Sequence, residues 1–153
     1  MKPKHILIAL PGLFLLYTAL GSQLAHGQQS RIIILAGYHQ EPPVSTSGSG
    51  VVTVAFHHDT LSVSGDFSDL TSPYRGAYIM VGEKGEFGNM LFRLKVNPNE
   101  DRTGGVLKAG ENAFFLSDVQ KPLLRKGELY INITSRNHSR GELRGQIPPM
   151  NVG

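Results

Sequence analysis

Apolar and polar residues alternate along much of the chain after residue 30. Leu61, Val63, Gly65 and Phe67 alternate with Ser62, Ser64 and Asp66. Met90, Phe92, Leu94 and Val96 alternate with Leu91, Arg93 and Lys95. Leu129, Ile131 and Ile133 alternate with Tyr130 and Asn132, and Leu143, Gly145 and Ile147 with Glu142, Arg144 and Gln146. A period of two is what a half-buried strand shows. Arg31–Leu35 and Val51–Phe56 are runs rich in β-branched residues and predict two more strands. Tyr78–Val81 predicts another, and Val106–Phe115 a weaker one with Gly110 inside it. His58-Asp59 falls between two strong strand patterns, so Val51–Phe56 and Leu61–Phe67 are expected to form a hairpin. The one expected helical turn is capped by Ser117-Asp118 and runs through Leu123-Leu124. Pro42-Pro43, residues 45–50, Gly82–Gly88, Asn97–Asp101, Ser135–Arg140 and Pro148-Pro149 read as loops and strand ends. Roughly seven to nine short strands with frequent turns predict an all-β fold, an antiparallel sandwich or Greek-key barrel.

Composition narrows this picture. The chain has 153 residues, enough for one domain, and its 18 glycines and 9 prolines fit many turns. It has no cysteine. A disulfide framework, a Cys-ligated zinc, an iron–sulfur centre and a thiol nucleophile are therefore excluded. Lys2 and Lys4 precede an apolar run from Ile6 to Leu20, and Ala25-His26-Gly27 offers small residues at a cleavage site. Residues 1–27 thus read as a secretory signal peptide, and 28–153 as one β domain with its core at about 32–148. The apolar run is shorter than the ~20 residues a membrane span needs, so no span is expected after cleavage. The full-length net charge is +3. Without Lys2 and Lys4 it falls to +1, from 13 basic and 12 acidic residues. The basic residues are scattered, and no basic run alternates with aromatics, so nucleic acid is not an expected partner.

Several stretches together resemble the chordin-type (CHRD) domain family. They are Gln40-Glu41-Pro42-Pro43-Val44, Leu61 to Ser72, Met90 to Leu94, Leu123 to Ile133, and Gly141-Glu142-Leu143-Arg144-Gly145-Gln146-Ile147. The last is the most specific. The resemblance covers roughly Leu35 to Ile147 and implies an immunoglobulin-like, superoxide dismutase-like β architecture without a general enzymatic activity. It also marks Gly65, Phe67, Asn132, Gly141, Glu142, Arg144 and Gly145 as a structural signature. Three histidines usual in the family are replaced by Tyr78, Met80 and Thr134. This set cannot hold zinc, and a lone Met suits only a soft ion, so no metal or other cofactor is expected.

Other candidate chemistry is thin. His57-His58-Asp59 sits at a hairpin tip, where adjacent side chains diverge, and reads as a solvated turn. His39 and His138 have no partner at ligand spacing. Asp66 with Asp69, and Glu83 with Glu86, read as surface acids rather than a glycosidase pair. No nucleophile elbow and no phosphate loop is present. Asn132-Ile133-Thr134 and Asn137-His138-Ser139 match the N-glycosylation pattern, although Asn132 is placed to point inward. Tyr38, Tyr74 and Tyr78 read as half-exposed packing residues beside loops.

In the closing strand, Leu143, Gly145 and Ile147 should face the core, with Glu142, Arg144 and Gln146 on the other face. Arg144 is expected to satisfy backbone carbonyls or a carboxylate, with Glu142 the nearest candidate. Gly145 should lie under another backbone or a large side chain. The resulting expectation is a secreted, non-enzymatic binding or structural module with no catalytic residues. Its partner would be a protein or a surface polymer. The alternatives are a metal-linked redox enzyme of superoxide dismutase type, which the missing histidines disfavour, and an accessory subunit of a cell-surface assembly.

Overall fold

The computed structural model describes residues 27–153, so the expected signal peptide and its cleavage point lie almost wholly outside the described residues. Ten strands follow one another with a single short helix. They are β1 Gln29–Ala36, β2 Ser49–His57, β3 Thr60–Ser68, β4 Tyr74–Val81, β5 Met90–Leu94, β6 Asn97–Pro98, β7 Gly105–Leu107, β8 Ala113–Phe115, β9 Leu129–Ser135 and β10 Leu143–Ile147. The helix α1 spans Lys121–Lys126. All strand pairs are antiparallel and form one sheet in the order β5-β4-β9-β10-β1-β2-β3-β7-β6, with β8 added to β3. The sheet curls into a half-barrel, the all-β class the alternation predicts.

The inner face carries one apolar core. Ile33 and Leu35 of β1, Val52, Val54 and Phe56 of β2, and Leu61, Val63 and Phe67 of β3 join Ala77 and Ile79 of β4. Leu129, Ile131 and Ile133 of β9 and Leu143 and Ile147 of β10 line the same core, and Leu70, Leu94, Leu107, Leu116, Leu124, Met150 and Val152 close it from the loops, the short strands and the helix. The outer phase carries the exposed Ile32 and Ile34 of β1, Val51 of β2 and Val106 of β7, whereas Met80 of β4 and Tyr130 of β9 are buried there under other segments. Register aligns Ile34 with Val51, Val51 with Asp66, and Asp66 with Val106 across four strands.

The β2–β3 hairpin turns at His58-Asp59, both in the left-handed region with φ of 45° and 61°. This pairing of positive angles matches the twist of the flanking strands. The weak strand expected over Val106–Phe115 is instead two strands, β7 and β8, separated by a 3-10 turn at Ala109–Glu111. The interruption is held by Asn112, which is fully buried. Its Oδ1 accepts from Lys95 N at 2.7 Å, and its Nδ2 donates to Lys95 O at 2.9 Å and Lys108 O at 3.1 Å. A side chain thus substitutes for the strand partner that Lys95 lacks between β5 and β6.

The helix exists, but Ser117-Asp118 does not cap it. Gln120 occupies the N-cap position without a side-chain cap bond, and Pro122 stands in the first turn, where its missing N–H costs nothing. The Ser117 carbonyl accepts from Lys121 N, and Asp118 pairs with Lys121 Nζ at 2.9 Å. Gly127 ends the helix with φ 75° and its N–H on the last-turn carbonyls.

Candidate functional site

Two halves of the sheet meet where β1 crosses β10. Their ladder contains a single pair, Ala36 with Arg144. Close approach depends on Gly145: a Cβ there would lie 2.5 Å from Ile33 Cγ2, 2.8 Å from Leu35 Cδ2 and 2.9 Å from Ile34 O. The expectation that another backbone and large side chains pack on Gly145 is met by β1.

Around this seam lie the two buried charged side chains among the described residues, Glu142 and Arg144. Arg144 points to the outer face, 2% exposed. Its Nη1 donates to Glu86 O at 2.5 Å, and its Nη2 donates to Glu83 O at 2.8 Å and Gln146 Oε1 at 3.1 Å. The guanidinium carbon lies 3.6 Å from the centre of the Tyr130 ring. Burial pulls the Arg144 pKa down, against the opposing influence of Tyr130, Glu41 and Glu86. An arginine keeps its charge under such a shift. Gln146 Nε2 donates to the carbonyls of Gly82, Gly127 and Leu129, and Gly88 N donates to the Tyr130 hydroxyl at 3.1 Å. Gly82–Gly88 is a loop, as expected, but its backbone is anchored by β9 and β10.

Glu142 is not the partner of Arg144. It precedes β10, so the alternation of that strand does not extend to it. Its Oε1 accepts from Thr46 Oγ1 at 2.5 Å, Thr71 N at 2.7 Å and Thr71 Oγ1 at 3.0 Å. Its Oε2 accepts from Ser135 Oγ, a residue in the inner phase of β9. Burial pushes the Glu142 carboxyl up, but the donors from Ser135, Thr46 and Thr71 outweigh it and hold the pKa below the usual carboxylate value. The carboxylate ties together four segments: the loops before β2 and β4, the end of β9 and the start of β10.

Gly141 turns the chain between them with φ 143°, a backbone that disfavours any side chain. A Cβ there would overlap Asn132 Oδ1 and Gln40 Nε2. Asn132, 2% exposed, accepts from Gln40 Nε2 at 2.9 Å and donates to Arg140 O at 2.9 Å. With both ends of its amide engaged, it is no glycan acceptor in the folded chain, whereas Asn137 is exposed. Five of the seven signature residues therefore meet at one seam. Gly65 and Phe67 do not: both lie on β3. Gly65 stands opposite Val52 with φ 142°, and Phe67 is buried against Tyr74 with ring centres 5.6 Å apart.

The remaining candidates are dispersed. His57 and His58 stack on each other at the exposed hairpin tip, and Asp59 pairs with Lys121 Nζ at 2.8 Å. His39, which the sequence reading left without a partner, donates from Nδ1 to Arg144 O at 3.0 Å and belongs to the seam. Nothing in its local pattern signals this, because the contact spans 105 positions. His138 lies in the Ser135–Arg140 loop beside Arg140 and Phe87 at the rim of a cavity of about 280 Å³. Asp66, Asp69, Glu83 and Glu86 are exposed, and among the described residues no three His, Asp or Glu side chains stand together as a metal site. Of the three positions that the sequence set apart as candidate ligands, Tyr78 lies under the Arg93 guanidinium, Met80 is buried, and Thr134 donates to Gly76 O at 3.1 Å. That donor set does not suit zinc.

Every buried side-chain polar atom among the described residues has a hydrogen-bond partner. Asn132, Gly141, Glu142, Arg144 and Gly145 thus form internal contacts that close the seam and hold the loops around it. No curated protein and no solved structure matches the chain. The family model for the CHRD domain matches residues 31–147, a span that begins in β1, ends on the last residue of β10 and contains the whole seam, and the chain belongs to the CHRD domain family.

Proposed function

We propose that this protein is a secreted, non-enzymatic module that binds a protein or a surface polymer outside the cytoplasm, or holds a structure there. The observation that carries the reading is the complete internal use of the Glu142 and Arg144 side chains. The two buried charges are bonded to the protein's own carbonyls, hydroxyls and amides. Two further features support it. The basic, apolar and small-residue order of residues 1–27 suits export. The exposed row of Ile32, Ile34, Val51 and Val106 favours a macromolecular partner over a small metabolite.

The test is recovery of the tagged protein from its native envelope or culture medium, with metal analysis and activity assays on the same sample. A stoichiometric macromolecular partner without turnover is the expected result. Bound copper or zinc accompanied by redox turnover would overturn it.

A further inference from the structure

Three arginines from distant parts of the chain meet at the end of the β4–β9 pair opposite the Gly82–Gly88 loop. Arg75, Arg102 and Arg136 line a cavity of about 340 Å³ with Pro73 and Tyr74. All three are exposed. The salt bridges among the described residues are made by Lys95, Lys121 and Lys126, so none of these arginines is neutralised by a carboxylate. The adjacent acid, Asp101, directs its carboxylate to Thr103 N at 2.9 Å and Thr103 Oγ1 at 2.8 Å.

Irregular backbone delivers these side chains. Tyr74 pairs with Ser135 and Gly76 with Thr134, so Arg75 is the extra residue of a bulge, a device that re-aims a side chain. Arg102 holds φ 61°, a conformation that costs energy in a residue with a Cβ and persists only when its surroundings impose it. Arg136 follows the last residue of β9. The segments are clamped together: Tyr74 N donates to Arg102 O at 2.7 Å, Arg136 N donates to Pro73 O at 2.9 Å, and Arg102 Nη2 donates to Tyr74 O at 3.3 Å. The backbone that carries the three arginines is therefore fixed before any ligand arrives.

Three like charges around one cavity repel, and an anion between them turns that repulsion into attraction. Guanidinium forks match the paired oxygens of a tetrahedral oxyanion. We propose that this cavity binds a sulfate or phosphate group, free or as an ester carried by the partner. The proposal gives a ligand class to the binding role above and rests on that reading only in taking the domain as a binder.

The test is calorimetric titration of the purified secreted protein with sodium sulfate, sodium phosphate and sodium acetate at constant ionic strength. Saturable binding of sulfate or phosphate, with acetate weaker, is expected. Arg75→Ala, Arg102→Ala and Arg136→Ala should each weaken it about three- to tenfold, and Arg125→Ala on α1 should leave it unchanged. Arg102→Gly removes the charge while relieving the backbone angle, so it reports on the charge if the alanine variant misfolds. A preference for sulfate over phosphate assigns the site to sulfate groups and the reverse preference to phosphate groups, and competition by a sulfated or phosphorylated polymer at lower concentration than the free ion identifies an ester as the source. No saturation, equal binding of acetate, or an equal loss in Arg125→Ala would overturn the site. A partner recovered equally by wild type and by the triple arginine variant would remove the anion site and leave the module reading standing.

Discussion

Arg144→Ala removes three charge-assisted donors and uncovers the Tyr130 ring, leaving the Glu83 and Glu86 carbonyls without their donors. The expected loss is about 1–3 kcal/mol, read as a lower urea midpoint. Arg144→Lys should recover only part of it, because one ammonium cannot reproduce the fork. Arg140→Ala is the contrast: its exposed guanidinium lies 4.5 Å from the Phe87 ring, an exposed contact worth about 0.5 kcal/mol. Glu142 carries a pH dependence. Its folded pKa is lowered, so the stability it contributes is present above the ordinary carboxyl value of 4.5 and is lost as pH falls through the folded value. Glu142→Gln should therefore cost about 1–3 kcal/mol at pH 7, and the gap to wild type should narrow as melts are taken into acid below the ordinary carboxyl value of 4.5. A gap that stays constant into acid would show that the carboxylate charge contributes nothing.

At the scale of elements, the crossing of β1 over β10 is a contact that a single added methyl group would disturb. Gly145→Ala forces a Cβ against Ile33, Leu35 and the Ile34 carbonyl, all in a packed strand. Overpacking of this kind costs about 1–3 kcal/mol. Gly110→Ala, in the turn between β7 and β8, meets nothing within 4 Å and should stay within about 0.5 kcal/mol of wild type. Thermal melts of the two variants compare the seam with an open turn on the same protein. The Gly82–Gly88 loop belongs to the same argument. Arg144, Gln146 and Tyr130 fix its backbone from below, so Arg144→Ala should also raise amide exchange at Glu83 to Gly88 and leave the β2–β3 hairpin protected.

At the scale of the molecule, the domain is a sheet curled into a half-barrel around one core, and its outside carries a row of exposed apolar residues and the arginine cavity. Both suit the macromolecular partner of the proposed function. The exported form should begin near Gln28, a position that N-terminal mass spectrometry of the protein from the medium or envelope would report. A chain that still carries Met1 to Leu20 there would contradict the cleavage and leave an N-terminal anchor in its place.

The alternation of side chains determined most of the strands, the β2–β3 hairpin and the inward faces of β3, β9 and β10, because a strand's two faces follow from backbone geometry over a few residues; it missed β6, which lies in the stretch Asn97–Asp101 read as a loop, and the first four residues of β4. It also showed that Gly145 must lie under something and that Arg144 needs acceptors, since a glycine and a charge set in regular strand positions call for a physical reason. What fills those needs was decided by the tertiary structure. The acceptors of Arg144 are loop carbonyls about 60 positions away, and Glu142 leaves the phase of its strand because the chain turns at Gly141. Val106–Phe115 splits where Asn112 caps a corner formed by distant segments. Arg75, Arg102 and Arg136 look like scattered surface charge until the sheet curls. Local period carries no information about which segments lie side by side, and these contacts exist only between segments that long-range pairing has brought together.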